Sequence, residues 1–343
     1  MIATLICLCL LCLYDIGFGR ERAFKDYLSK NRTDSIKGIF ILLVFISHSN
    51  GYYLDAGYVF HGLGDMVFRK IMVNINQLMV VMFLFYSGYG VMEGIARKRV
   101  DYINKMPLHR IVNTLVNYDI AVCIFLVVDI ALKKHITVSQ FLLTLVAWDT
   151  IGNSNWYIFV ILICYIVTWI LAKTNIPLLR IGLYSFIPLI CITFLLSLEK
   201  EPYWYNTMLA YPLGMVISTY KDKIEVFTDN HYFPTLAILS VLFVMCFYQI
   251  PFEMGENKLI PMGLVFPMLL VTITMRVRIG NPVLQWLGQN LFPIYIYQRI
   301  PMMVLASVLP SWMLTVHPII FVALSFVLTI MITYAYRYFR VTI

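Results

Sequence analysis

The chain is short of charge. Asp, Glu, Lys and Arg make up 13% of its 343 residues, and 61% are hydrophobic. A soluble domain needs about a quarter of its residues charged to cover its surface. With a mean hydropathy of +0.80, this chain must turn its outer surface to lipid. Long polar linkers are missing too, so no room remains for a separate soluble domain. There are seven cysteines, but all sit inside apolar runs, the one CxxC spacing (Cys9-Leu-Leu-Cys12) included, and none lies beside a histidine at metal spacing. That excludes a disulfide framework and leaves no metal site to read; the cysteines lie in apolar runs and behave as small hydrophobes. G-x-S-x-G, H-E-x-x-H, Walker and Rossmann patterns are also absent, as are internal repeats and low-complexity segments. The net charge of +8 is scattered over loops that flank apolar stretches, which is the usual pattern of membrane proteins and not a nucleic-acid face.

What is present is a succession of apolar stretches near bilayer-spanning length: 1–19, 36–53, 71–95, 111–132, 155–172, 177–198, 203–219, 231–250, 258–275, 283–308 and 313–336. The expected fold is an all-α polytopic transmembrane bundle of ten or eleven spans. Residues 1–19 lack a basic leader region and an A-x-A-like cleavage site, so they read as an extra N-terminal helix that is retained. Residues 20–343 read as one membrane-embedded domain. The apolar piece 137–150 is too short to span and reads as interfacial or re-entrant. With the N-terminus outside, 19 Lys and Arg fall in inner segments and six in outer ones. That bias predicts a cytoplasmic C-terminus in a plasma (inner) membrane.

Ionisable and polar groups within spans are costly and invite a functional reading. His48 and Lys37 lie eleven residues apart in the second stretch, close to a whole number of helical turns, with Asp34, Ile41 and Phe45 between or below them. At about 1.5 Å per residue, His48 sits roughly 16 Å beyond Lys37. A neutral histidine there keeps a ring nitrogen free to take a proton; the plainer reading is a packed, hydrogen-bonded histidine. Ser87, Gly88 and Gly90 read as close helix packing, and Glu93 as an ion pair at the rim beside Arg97, Lys98 and Arg99. Lys105, His109 and Arg110 open the fourth stretch, where cations suit phosphate groups or simply anchor the helix. Asp119 and Asp129 lie within that stretch without an evident partner. Pro293 and Pro301 flank Arg299 in the tenth, where broken helices line cavities and where arginine can also snorkel to headgroups.

Four segments together resemble the acyltransferase-3 family of integral-membrane O-acyltransferases. They are Thr33 to His48, with Lys37-Gly38 ahead of an apolar run ending in histidine; Phe83-Leu-Phe-Tyr-Ser87-Gly88-Tyr89; Asn155-Trp156-Tyr-Ile-Phe159; and Leu287-Gly288 through Phe292-Pro-Ile-Tyr295-Ile. They stand in family order over nearly the whole chain. The resemblance implies a bundle of about ten helices that moves an acyl group, as a rule acetyl, from acyl-CoA to a hydroxyl of a cell-surface glycan or its lipid-linked precursor. It makes His48 the catalytic base, and Lys37, where arginine is more usual, its basic partner. The chain departs from the pattern at Pro107, three before Arg110, and at Gln298, where the family often has histidine.

On this reading Lys37 and Arg110 hold the CoA phosphates, and Asn50, Trp156, Tyr295 and Arg299 meet the acceptor. Acyl-CoA is a co-substrate, and no permanently bound cofactor or metal is expected. The partners are acyl-CoA, a polysaccharide or lipid-linked saccharide, and membrane lipid. The rival reading is a transporter or flippase of a lipid-linked glycan, with His48 and Arg299 lining its path. An accessory subunit without chemistry would need His48 to be structural.

Overall fold

A computed structural model describes residues 1–19, 22–173, 188–250 and 255–342. Among these, the chain is helical almost throughout: the only strands are the two-residue pair Gly17–Phe18 and Val277–Arg278, which run antiparallel. The helices are α1 Ile2–Leu13, α2 Lys30–Asp55, α3 Gly62–Ile75, α4 Leu78–Met106, α5 Asn113–Ala131, α6 Val138–Leu145, α7 Trp156–Ala172, α8 Pro188–Ser197, α9 Ala210–Thr219, α10 Lys221–Asn230, α11 Tyr232–Tyr248, α12 Leu259–Arg276, α13 Pro282–Gln289, α14 Leu291–Tyr297, α15 Arg299–Val308, α16 Ser311–Thr315 and α17 Pro318–Phe339. The all-α membrane bundle expected from composition is what the chain forms. Among the described residues, four helical stretches are long and apolar enough to cross a bilayer: 62–131, α12, α14 with α15, and α17. The α10–α11 pair makes a fifth if its 101° bend is counted within one span.

Several expected single helices are divided or shortened. The first stretch is helical only to Leu13 and then turns into the short strand. The third is split between α3 and α4 at Asn76, whose φ is +36°. The tenth is three short helices, broken at Asn290 and Gln298. In 203–219 only Ala210–Thr219 is α-helical. Of 177–198, the part up to residue 187 lies outside the described residues. The piece 137–150 carries just the eight-residue α6, in keeping with a segment that does not span.

Helix α2 is the centre of the bundle, touching α4, α13, α14, α15, α16 and α17. Lipid tails are as apolar as leucine, so close van der Waals fit must hold such helices together. Two glycine crossings provide it. A Cβ on Gly38 would collide with the Leu284 carbonyl of α13, and one on Gly288 with the Asp34 carbonyl of α2. Gly88 of α4 and Gly214 of α9 meet the Tyr211 and Phe85 carbonyls in the same reciprocal way. The packing reading of Gly88 therefore holds. For Gly90 it does not, since nothing lies within 4 Å of where its Cβ would be. Below His48, Ile41 and Phe45 are buried, and Phe45 meets the edge of Phe326 from α17 at 5.1 Å.

Candidate active site in two cavities

The C-terminal half of α2 opens on a cavity of about 320 Å³ that contains His48. Its walls come from α2 (Val44, Ser47), the α3–α4 break (Asn76, Gln77), the start of α4 (Met79, Val80) and the loop before α7 (Thr150, Asn153, Ser154, Asn155). Trp156, Tyr203, Tyr295 and Arg299 complete it. Side-chain amides build the loop. Asn155 Nδ2 donates to the Ala147 and Asp149 carbonyls at 3.2 and 2.9 Å. Asn153 Nδ2 donates to the Tyr118 hydroxyl at 2.7 Å, and its Oδ1 accepts from the Ile151 amide at 3.0 Å. Arg299 is tied to the same loop through Nη1, which donates to the Gly152 carbonyl at 3.2 Å.

Other polar atoms in this cavity are not so occupied. His48 Nδ1, Gln77 Oε1 and Arg299 Nε are buried without a hydrogen-bond partner among the described residues. The Ser154 and Tyr295 hydroxyls lie beside each other but form no well-directed bond. Buried polar groups are nearly always paired, so a cluster of unpaired ones facing one space marks a place where a ligand supplies the partners. The His48 ring lies 6.2 Å, centroid to centroid, from Tyr295.

The N-terminal end of α2 borders a larger cavity of about 940 Å³. It is lined by seven basic residues, Lys25, Lys30, Lys37, Arg97, Lys98, Arg110 and Lys221, against two acidic ones, Asp34 and Glu93. Both acids are engaged. Asp34 pairs with Lys37 at 2.6 Å, and Glu93 accepts from Arg97 at 3.2 Å and from the Ser218 hydroxyl at 3.0 Å. Arg110 stands on a π-helical turn, Pro107–Val112, that joins α4 to α5, with its guanidinium 5.9 Å from the centre of the Tyr165 ring. Such turns re-aim a side chain and recur at functional sites. A basic cavity of this size suits a ligand carrying several phosphates.

Aromatic rings link the linings of the two spaces. Tyr157 is buried, its ring 5.2 Å from Tyr295 of the His48 cavity and 6.1 Å from Phe83, and its hydroxyl lies beside Ser87 of the basic cavity.

Of the residues singled out in the sequence, His48, Trp156, Tyr295 and Arg299 share one cavity, and Lys37 and Arg110 share the other. Asn50 belongs to neither: its side chain accepts from the Tyr53 hydroxyl one turn on, on a face of α2 turned away from the cavity. Asp129, left without a partner in the sequence, pairs with Lys134 at 2.8 Å. Gln77, Ser154 and Tyr157 were not singled out as site residues. Only Gln77 carried a signal, as an amide in an apolar stretch beside Asn74 and Asn76.

Fold and cavities together define a membrane-embedded helical protein with a polar, histidine-bearing chamber back to back with a basic one. The family model described as an acyltransferase domain matches residues 31–338, and the chain belongs to that family. No curated protein and no solved structure matches the chain. The protein is thus a membrane acyltransferase. The match begins at Asn31, so α1 lies outside it.

Proposed function

We propose that the chain is an O-acyltransferase that moves an acetyl group from acetyl-CoA to a hydroxyl of a cell-surface glycan or its lipid-linked precursor. The observation that carries this reading is the placement of two unlike cavities at two levels along α2, basic around Lys37 and polar around His48. Lys37 and Arg110 hold the CoA phosphates. The pantetheine arm runs past Tyr157 and presents the thioester to His48, some 16 Å along the helix from Lys37. The charge bias of the loops turns the basic cavity to the cytoplasm, where acyl-CoA is made, in a plasma membrane with the C-terminus inside.

In the reaction an unprotonated ring nitrogen of His48 accepts the proton of the acceptor hydroxyl as its oxygen bonds to the thioester carbonyl carbon. The carbon–sulfur bond then breaks, and the CoA thiolate leaves with the proton that His48 returns. A positioned base of this kind contributes roughly 10²–10⁴-fold. Tyr295 and Trp156 offer ring faces to the sugar.

The test is His48→Gln in the host, with O-acetyl groups on its surface glycans counted by NMR. Loss of acetyl groups with the glycan still exported is the expected result. Unchanged acetylation by a normally folded variant overturns the reading, and loss of the glycan itself indicates a transporter.

A further inference from the structure

Arg299 is the only Lys, Arg, Asp or Glu among the residues lining the His48 cavity. No carboxylate lies within ion-pair distance of it among the described residues. One nitrogen, Nη1, is spent on the Gly152 carbonyl, while Nε is buried and unpartnered. An unpaired cation inside a membrane protein is costly unless something supplies the missing negative charge. The rest of the cavity supplies none, because its other polar side chains are amides, hydroxyls and the imidazole. The loop amides of Asn153 and Asn155 are already committed to backbone and Tyr118. Arg299 is fixed in place by Gly152, so its free edge is already oriented and loses little freedom on binding an oxyanion.

We propose that the acceptor is an acidic saccharide, whose carboxylate or phosphate is held by Arg299 while the hydroxyl to be acylated faces His48. This rests on the acyltransfer reading above and narrows its substrate class. A neutral sugar would leave the guanidinium unpaired; an acidic one neutralises it and fixes which hydroxyl comes forward. Gln77 Oε1, on the α3–α4 break, accepts from a second hydroxyl of the same ring.

The experiment is saturation-transfer NMR on the full chain in nanodiscs, with methyl β-D-glucuronide, methyl glucoside 6-phosphate and methyl β-D-glucoside as probes. At least one acidic probe is expected to bind roughly tenfold or more better than the neutral one, as loss of a charged hydrogen bond implies; which one shows whether a carboxylate or a phosphate is preferred. Arg299→Gln should reduce acidic binding to the neutral level, and Arg299→Lys should keep part of the preference. His48→Gln should keep all of it, so a failure of the catalytic reading is separable from a failure of this one. Equal binding of the three probes, no binding of any, or an acidic preference that survives Arg299→Gln in a folded variant overturns the proposal.

Discussion

The two cavities along α2 solve opposite electrostatic problems. Around Lys37, basic side chains crowd a wide space, and the two acids present are held in ion pairs or hydrogen bonds. Around His48, one cation stands among neutral groups, several of them buried and unpaired. The first arrangement suits a polyanion, drawn by summed charge. The second depends on placement, because each unpaired atom awaits one particular partner. On the proposed reading, binding and chemistry are divided between two places joined by a single helix, with Tyr157 touching the linings of both.

The largest effect on this division should come from the glycine crossings that hold α2 to α13. Gly288→Val forces a side chain into the Asp34 carbonyl and should cost about 1–3 kcal/mol or more. Thermal unfolding in detergent, followed by size-exclusion chromatography, should show a sharply lower melting point or no folded protein. Next, Arg110→Gln should weaken binding of CoA roughly tenfold or more, the worth of a charged hydrogen bond, with acceptor binding unaltered by NMR. Tyr157→Ala should join the two spaces and let water take the acetyl group, so that acetate and free CoA form without acceptor, several-fold above wild type in a thiol assay. Raising ionic strength should loosen CoA several-fold by calorimetry, through screening of the many cations, and change acceptor binding much less. The smallest effect is Asn50→Ala, which removes only a contact to Tyr53 and should leave transfer within about twofold.

Much of this arrangement was readable from residue spacing. Lys37 and His48 fall on one helix because the apolar run between them is unbroken, and Arg110 announced itself by charge at the mouth of a hydrophobic stretch. Helix breaks were not readable. Hydropathy averages over a window, so it saw one span where Asn76 turns the chain to φ +36° and another where Asn290 and Gln298 divide three short helices. Those breaks bring Gln77 and Arg299 into the His48 cavity. Asn50 misled because its proximity to His48 in sequence says nothing of its face, and a tyrosine one turn away satisfies it. Tyr157 was hidden among apolar neighbours; only the packing of α7 against α4 reveals that it touches residues of both cavities. The glycines, by contrast, were legible as packing at Gly88, because a Cβ has nowhere to go at a close crossing.

The division of labour is tested most directly by measuring CoA binding and acetyl transfer together in purified His48→Gln and Arg110→Gln proteins. The two-cavity account predicts that His48→Gln binds CoA as wild type does while transfer falls by roughly 10²-fold or more, and that Arg110→Gln loses CoA affinity first. A His48→Gln protein that still transfers acetyl groups, or that loses CoA binding as fully as Arg110→Gln, would contradict it.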